Sequence, residues 1–303
     1  MSKILISGAS GFVGGNLIKF LLQKKEYDII CISRRKMDYK GNIKQIVKDL
    51  TQPFTLDEIK ILRSVDFIVH LAGTSKISEC SSEPRSSIEK NIQITLNLLE
   101  PLRQSKNNLK KILLLSSAES YGPSVKNKEM AECDVKNPIN IYGCIKNCIE
   151  NIFLSYYYNY DLPVAIANTM NTYGPHQSKE KFIPKIIRKI KQGKPVDLHA
   201  SENPDKRNYL HIDDLCSAIT HILKKCKEGE RYNVISDNFY DNLEIAKIIA
   251  NILNMRLSYN LINPTNKTAH HTLSILNGEK LFKTGWAPKI NLNDGLKEEI
   301  NNG

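Results

Sequence analysis

The sequence predicts an α/β protein: a doubly wound parallel sheet, with a smaller mixed α/β domain on the C-terminal side. Three observations carry this. Over the first half of the chain, short apolar runs alternate with helix-length patterns, the rhythm of strand–helix–strand units. A glycine-rich turn joins the first apolar run to the first helical stretch. Beyond about residue 170 the elements shorten and alternate less cleanly. Residues 1–168 are therefore assigned to the sheet-bearing domain and 169–303 to the smaller one, with a segment near 207–236 expected to return to the main sheet.

Taken in order, Lys3–Ser7 reads as a buried strand and Phe12–Gln23 as a helix. Ile29–Ser33 and Ile43–Val47 are the second and third strands. Asp66–Leu71 is the fourth, followed by a long helix within Pro84–Ser105. Lys111–Ser116 is the fifth strand, Asn140–Tyr158 a long helix and Val164–Thr169 the sixth strand. The apolar content of these strands fits a parallel sheet covered on both faces. In the second half, Phe182–Gln192, Asp213–Lys225 and Asn242–Leu253 show helical patterns.

The turn Lys3-Ile-Leu-Ile-Ser-Gly-Ala-Ser-Gly-Phe-Val-Gly14 places Gly8, Gly11 and Gly14 directly between strand one and helix one. Glycines there permit a tight turn and a close approach of backbone to a pyrophosphate, and the helix N-terminus offers free N–H groups. The spacing is GxxGxxG rather than the general GxGxxG. Phe12 and Val13 complete the candidate phosphate turn. At the end of strand two, where an acidic residue would bind the ribose hydroxyls of NAD, the chain has Ser33-Arg34-Arg35. Arginine can hold a 2′-phosphate by charge-assisted bonds, so the reading is NAD(P) with NADP favoured; the alternative leaves both arginines solvated and NAD bound. Asp49 and Leu50 follow the third strand, with Asp49 a candidate adenine contact, and Leu71, Ala72 and Gly73, at the end of the fourth, are further cofactor candidates.

Tyr142 and Lys146 open the long helix four residues apart, on one helix face. Tyrosine titrates near 10 and is a poor base at neutral pH; a neighbouring ammonium stabilises the phenolate and is expected to lower that value. Such a tyrosine can take a hydroxyl proton while hydride leaves for a nicotinamide. The pair gains weight from Ser116-Ser-Ala-Glu-Ser-Tyr-Gly122, just after strand five, where ligands sit in a doubly wound sheet. Ser117 is placed to hydrogen-bond the reacting oxygen.

Composition bounds the alternatives. Hydrophobic residues are 41% and charged residues 25% of 303, ordinary for a soluble globular chain. No stretch approaches the roughly 18 apolar residues of a membrane span. Met1–Leu22 is fairly apolar but lacks a small-residue cleavage site, so it is not read as an export leader, and a cytoplasmic chain is expected. The seven cysteines form no CxxC pair and no zinc-like spacing, so packing roles and no metal site are expected. The net charge of +11 favours anionic partners, either nucleic acid or ligands bearing diphosphates. The basic residues are scattered and no nucleic-acid signature accompanies them, so no nucleic-acid partner is expected.

On these residues the chain resembles the NAD-dependent epimerase/dehydratase family, the extended short-chain dehydrogenases, over nearly its whole length. His70-Leu-Ala-Gly73, Asn91–Glu100, Asn171-Thr-Tyr-Gly-Pro175, Phe182-Ile-Pro184, Gly193-Lys-Pro195, Arg207–Asp214, Gly285-Trp-Ala-Pro288 and Leu292-Asn-Asp-Gly-Leu296 resemble family segments in the right order. The resemblance implies a Rossmann domain for the cofactor and a C-terminal domain for a nucleotide-diphosphate sugar. It implies Ser117, Tyr142 and Lys146 as the catalytic trio. It implies Asn171 and Arg207 as holders of the substrate diphosphate, and the stretch at Phe182 and Ile183 as the contact for the base. Arg207 suits phosphate by its bidentate guanidinium; its alternative is an ion pair with Asp205 or Asp213. A homodimer through the helices within 84–105 and 140–158 is the family expectation.

The family opens by oxidising the sugar at C4. Its 4,6-dehydratases then commonly use an acid and a glutamate base just after the serine; here the pair is Ala118-Glu119. Glu119 is the candidate base, and Ala118 cannot donate a proton. Asn168 stands where many members have arginine. The leading reading is a nucleotide-sugar dehydratase or epimerase. The rival is a 4-dehydrogenase or 4-keto reductase with net redox. A more remote rival is a non-catalytic cofactor sensor or nucleic-acid binder on the same fold.

Overall fold

The computed structural model describes residues 1–39, 41–74, 76–103, 108–124, 128–199, 206–237, 239–262 and 275–302. In the first half, β1 (Ser2–Ser7), α1 (Phe12–Lys24), β2 (Tyr27–Ser33), β3 (Ile43–Val47), α2 (Leu56–Arg63), β4 (Phe67–His70), α3 (Ile77–Ser82), α4 (Pro84–Arg103), β5 (Lys111–Ser117), α5 (Ile141–Tyr160) and β6 (Val164–Thr169) follow one another. The second half contributes β7 (Thr172–Tyr173), α6 (Phe182–Lys191), β8 (Val196–His199), β9 (Arg207–Asn208), β10 (Leu210–His211), α7 (Ile212–Lys225) and β11 (Glu230–Val234). It ends with β12 (Phe239–Tyr240), α8 (Asn242–Ile252), β13 (Tyr259–Ile262), α9 (Glu279–Phe282) and α10 (Leu292–Asn302).

Seven strands form the main sheet in the order β11-β6-β5-β4-β1-β2-β3, all parallel. The order reverses between β1 and β4, which opens a crevice at the C-terminal strand ends, the general ligand position in such sheets. β11 comes from the segment near 207–236 and lies in register against β6, Arg231 opposite Ile166 and Asn233 opposite Asn168. Two apolar layers cover the faces. One joins α1 and α7 to the sheet through Leu17, Ile18, Leu21, Leu215 and Ile219. The other joins α2, α4 and α5 through Leu62, Leu98, Leu102, Ile149 and Phe153. A third core, with Tyr173, Ile186, Ile190, Tyr209, Ile245 and Leu296, belongs to the C-terminal elements.

Element ends differ from expectation by one or two residues, and two helices of the first half, α2 and α3, had no sequence assignment. The start of α2 carries a readable signal. Thr55 accepts from Glu58 N while the Glu58 side chain accepts from Thr55 N, a reciprocal capping box encoded by Thr-Leu-Asp-Glu. All seven cysteines are free thiols; Cys31, Cys80, Cys216 and Cys226 are buried. Among the described residues no helix is long and apolar enough to cross a membrane.

Candidate active site

The glycine turn leaves β1 and caps α1. Gly8 has φ +71°, and a Cβ there would stand 2.8 Å from Ala72 N; a Cβ at Gly14 would stand 2.5 Å from Gly8 O. Neither position admits a side chain, so the turn, α1 and the β4 exit press together with bare backbone facing the crevice. Ser7 and His70, the last residues of β1 and β4, hold this arrangement. Ser7 Oγ accepts from Leu71 N and Ala72 N and therefore gives its own proton to His70 Nδ1, 2.8 Å away. Burial, with Lys146 nearby, drives His70 down to about 3, so the ring stays neutral and that proton order is fixed. Buried Asn91 on α4 accepts from Thr74 N at 3.1 Å and fixes the backbone just after Gly73. A backbone cradle that a Cβ would fill, at a helix N-terminus, fits the pyrophosphate of a dinucleotide.

At the neighbouring strand ends, Ser33 Oγ donates to Arg35 O at 2.6 Å, and Arg34 and Arg35 are exposed. Asp49 is exposed, its carboxyl held below the usual range by the Thr51 N–H and hydroxyl, with Arg34 among the nearby charges. Leu50 is buried in the apolar layer beneath α2 and α4. Tyr39, which sequence reading passed over, donates to Ala9 O at 2.8 Å and closes over the glycine turn.

The chemistry-bearing group gathers at the end of β5. Ser117 ends the strand, and a single 3-10 turn, Ala118–Ser120, brings Glu119 beside it. Ser117 Oγ accepts from Glu119 N at 3.2 Å. Glu119 Oε2 accepts from Asn140 Nδ2 at 2.7 Å, and Asn140 Oδ1 accepts from Gly143 N at 2.8 Å as the N-cap of α5. One helical turn places Tyr142 and Lys146 facing this strand end, with Lys146 Nζ donating to Leu115 O at 3.2 Å and lying 5.9 Å from the Tyr142 ring centroid. Ala118 is buried beside Tyr121 and offers no proton.

Protonation differs from the sequence expectation. Burial pushes Tyr142 up to about 12, the Ser117 hydroxyl opposing and Glu119 and Cys80 adding to the rise. Burial lowers Lys146 to about 8, with Glu150 and Cys80 opposing. The expected ammonium-stabilised phenolate is thus not the state of the ligand-free chain: Lys146 donates to a backbone carbonyl, and loss of water around the phenol dominates.

Beneath the trio, Glu150 is fully buried, one turn beyond Lys146 on α5. Burial works against its charge, but Lys136, Ser116 and Arg231 together hold its carboxyl below the usual range. Lys136 donates to one carboxylate oxygen, Arg231 Nε donates to the same oxygen at 2.9 Å, and Asn168 Nδ2 donates to the other at 2.7 Å. Asn168 therefore serves as an uncharged donor, while the cations arrive from the loop before α5 and from β11.

In the C-terminal part, Asn171 sits at φ +33° between β6 and β7, a conformation asparagine tolerates. Half-buried Phe182 lies 6.5 Å from the Tyr209 ring, and Arg207 is two residues from Tyr209 on β9. Among the described residues no carboxylate lies within ion-pair distance of Arg207, so Asp213 is not its partner; Asp205 lies outside the described residues. Ile183 is buried in the C-terminal core with Ile186 and Ile187, so its side chain supports α6 rather than facing a ligand. Asn16 on α1 donates to Pro175 O at 3.0 Å and ties the cofactor side to this region. His211, Asp213 and Glu298 bring three ligand-type atoms within 4.8 Å of one another. His211 Nδ1 accepts from Asp213 N, which leaves the ring proton on Nε2, 3.6 Å from Glu298, the arrangement of a polar pair rather than a metal ligand.

Fold and cleft together define a dinucleotide-binding enzyme on a doubly wound sheet. The model of the NAD dependent epimerase/dehydratase family matches residues 4–235, and the chain belongs to that family. It is similar to the dTDP-D-glucose 4,6-dehydratase of Dictyostelium discoideum, 34% identical in an alignment of 275 positions that covers 83% of this chain and 62% of that one. The chain thus spans less than two thirds of that relative's length. It is 27% identical to the human dTDP-D-glucose 4,6-dehydratase in an alignment of 319 positions that covers 98% of this chain and 89% of that one. Its structure resembles that of dTDP-glucose 4,6-dehydratase from Bacillus anthracis in complex with NAD, with TM-score 0.87, 27% identity, and 99% and 96% of the two chains covered.

Proposed function

We propose that the protein is an NAD(P)-dependent nucleotide-sugar dehydratase or epimerase that begins by oxidising its sugar at C4. The observation carrying this is the convergence of Ser117, Glu119, Tyr142 and Lys146 at the β5 exit, beside the glycine cradle. Gly8, Gly11, Phe12, Val13 and Gly14 would hold the pyrophosphate, and Lys146 and the backbone at Leu71–Gly73 the nicotinamide half. When bound, an oxidised nicotinamide would supply the hydride acceptor and a positive charge that favours a phenolate at Tyr142. Tyr142 takes the proton of the C4 hydroxyl while Ser117 hydrogen-bonds that oxygen. Lys146 supplies positive charge at the phenol. The C4 ketone acidifies the neighbouring carbon, and Glu119 removes its proton. Arg207 and Asn171 would hold the substrate diphosphate, with the Phe182 ring beside the base.

The dTDP-glucose dehydratases among the relatives support a nucleotide sugar as substrate, and the NAD in the Bacillus anthracis complex supports a nicotinamide cofactor. The exposed Arg34 and Arg35 support acceptance of NADP by contact with its 2′-phosphate. We further propose a homodimer through α4 and α5, where Ile88, Tyr158 and Tyr160 are exposed. A cytoplasmic location, in line with seven free thiols, is checked by fractionation of expressing cells.

The test is mass spectrometry of dTDP- and UDP-sugars incubated with the protein in heavy water, with NAD and NADP in parallel. Loss of one water, or deuterium on carbon at unchanged composition, is the expected result, and Tyr142→Phe should abolish either one while retaining cofactor binding. A product differing by two hydrogens, with cofactor changed in equal amount, would replace this reading by a 4-dehydrogenase or reductase, a reading that Ala118 favours by removing the dehydratase acid. Full turnover by Tyr142→Phe would sink the mechanism.

A further inference from the structure

We propose that Asn140 is the positioning residue for Glu119: its side-chain amide fixes the carboxylate against the start of α5, so that proton removal from carbon depends on it while hydride transfer does not. The inference rests on the functional reading above.

The amide is used at both ends. Oδ1 caps α5 by accepting from Gly143 N at 2.8 Å, and Nδ2 donates to Glu119 Oε2 at 2.7 Å. A cap alone requires only an acceptor, which serine or aspartate supplies equally well. A serine hydroxyl also accepts and donates, but its single oxygen, one bond nearer the backbone, cannot fill the two separate positions that Oδ1 and Nδ2 hold here. The backbone closes the same joint: a Cβ at Gly143 would stand 2.3 Å from Glu119 O, so the first turn of α5 lies directly against the 3-10 turn. Glu119 is thus held at its N–H by Ser117, at its carbonyl side by the approach of Gly143, and at its carboxylate by Asn140. Asn140 is two residues from Tyr142, so base and tyrosine share one rigid mount.

With Oε2 engaged, Oε1 has no partner among the described residues and is the oxygen that receives the proton. In that step the C–H bond beside the C4 ketone breaks, an O–H bond forms at Oε1, and the electron pair passes into the enolate. Releasing Oε2 lets the carboxylate rotate away from the carbon. It leaves Ser117, Tyr142 and Lys146 in place, since a serine at the cap preserves the helix start.

The full chain and Asn140→Ser are compared with dTDP-glucose and UDP-glucose in heavy water, with Glu119→Gln setting the floor. Single-turnover formation of reduced nicotinamide reports hydride transfer, and mass spectrometry reports deuterium at carbon. Asn140→Ser should form reduced nicotinamide within about threefold of the wild type and incorporate deuterium about 10–100-fold more slowly, with a displaced pH profile for exchange. Unchanged exchange and an unchanged profile would show Asn140 to be a helix cap and overturn the inference alone. Equal loss of both signals would overturn it as well, since the residue would then support the whole trio. A wild type that forms no reduced nicotinamide with either sugar would overturn the functional reading, and this inference with it.

Discussion

Lys146 carries its charge in a place that resists it. Its value falls from 10.5 to about 8 because burial removes water from the ammonium and nearby Glu150 only partly compensates. Below pH 8 the folded chain keeps the charge at full penalty. Between about 8 and 10.5 the unfolded chain holds a proton that the folded chain has released, so stability rises with pH across that window. Lys146→Met removes the penalty and keeps the stem. It should raise stability at pH 7 by roughly 1–3 kcal/mol, at about 1.4 kcal/mol per pKa unit with an allowance for partial exposure. Urea unfolding at pH 7 and pH 10 checks this: the gap should narrow at the higher pH, and a less stable variant at pH 7 would refute the reading. Activity should be lost in the same variant, the trade expected where a site holds a group for chemistry rather than for folding.

At the scale of elements, the decisive joint is the one between the 3-10 turn after β5 and the N-terminus of α5. Gly143 is a poor helix former in isolation, and alanine there would gain about 1 kcal/mol of propensity. Its Cβ would, however, collide with the Glu119 carbonyl at 2.3 Å. Gly143→Ala should therefore lower stability by about 1–3 kcal/mol and reduce turnover at least tenfold, measured by thermal unfolding and by product formation. A gain in stability would mean the two turns separate freely. Much of this level was legible beforehand. The apolar runs gave β1 to β6, and the glycine turn located the first helix, because both signals are local. The capping boxes Thr55–Glu58 and Asp241–Glu244 were equally local and show that α2 could have been assigned. What could not be read were pairings set by tertiary packing. Ser7 with His70 lies 63 residues apart, Asn168 with Glu150 18, and Glu119 with Asn140 21. Nothing in the local pattern around Asn140 distinguishes a cap from a cap that also holds a base. The protonation of Tyr142 escapes the local pattern for a related reason: spacing reports which groups are neighbours, while solvent loss depends on everything packed around them.

For the whole molecule, one crevice is lined from both directions. The glycine cradle lies on β1 and α1, the acid–base group on β5 and α5, and Asn16 links α1 to the loop after β7. The dimer proposed through α4 and α5 has a direct consequence for association. Sedimentation equilibrium should give twice the chain mass, and Tyr158→Glu, at a residue 72% exposed in the single chain, should shift it toward one chain. A wild type that sediments as a single chain at micromolar concentration would remove the dimer. The fold class was visible in the sequence because strand–helix alternation is a long-range rhythm written in short-range words. The substrate side was less so, because its strands outside the main sheet are only two to four residues long.

The position of β11 at the sheet edge also orders events during synthesis. β6 is complete at Thr169, but its neighbour β11 does not begin until Glu230. A nascent chain with its first six strands assembled therefore presents one open edge of unpaired N–H and C=O groups on an apolar strand, Val164-Ala-Ile-Ala167, until some sixty further residues have emerged. The same interval delays Arg231, so the carboxylate of Glu150 waits for its second cation until the edge closes. Covering of the β6 edge and delivery of the second cation to Glu150 are thus a single late event in the birth of the molecule.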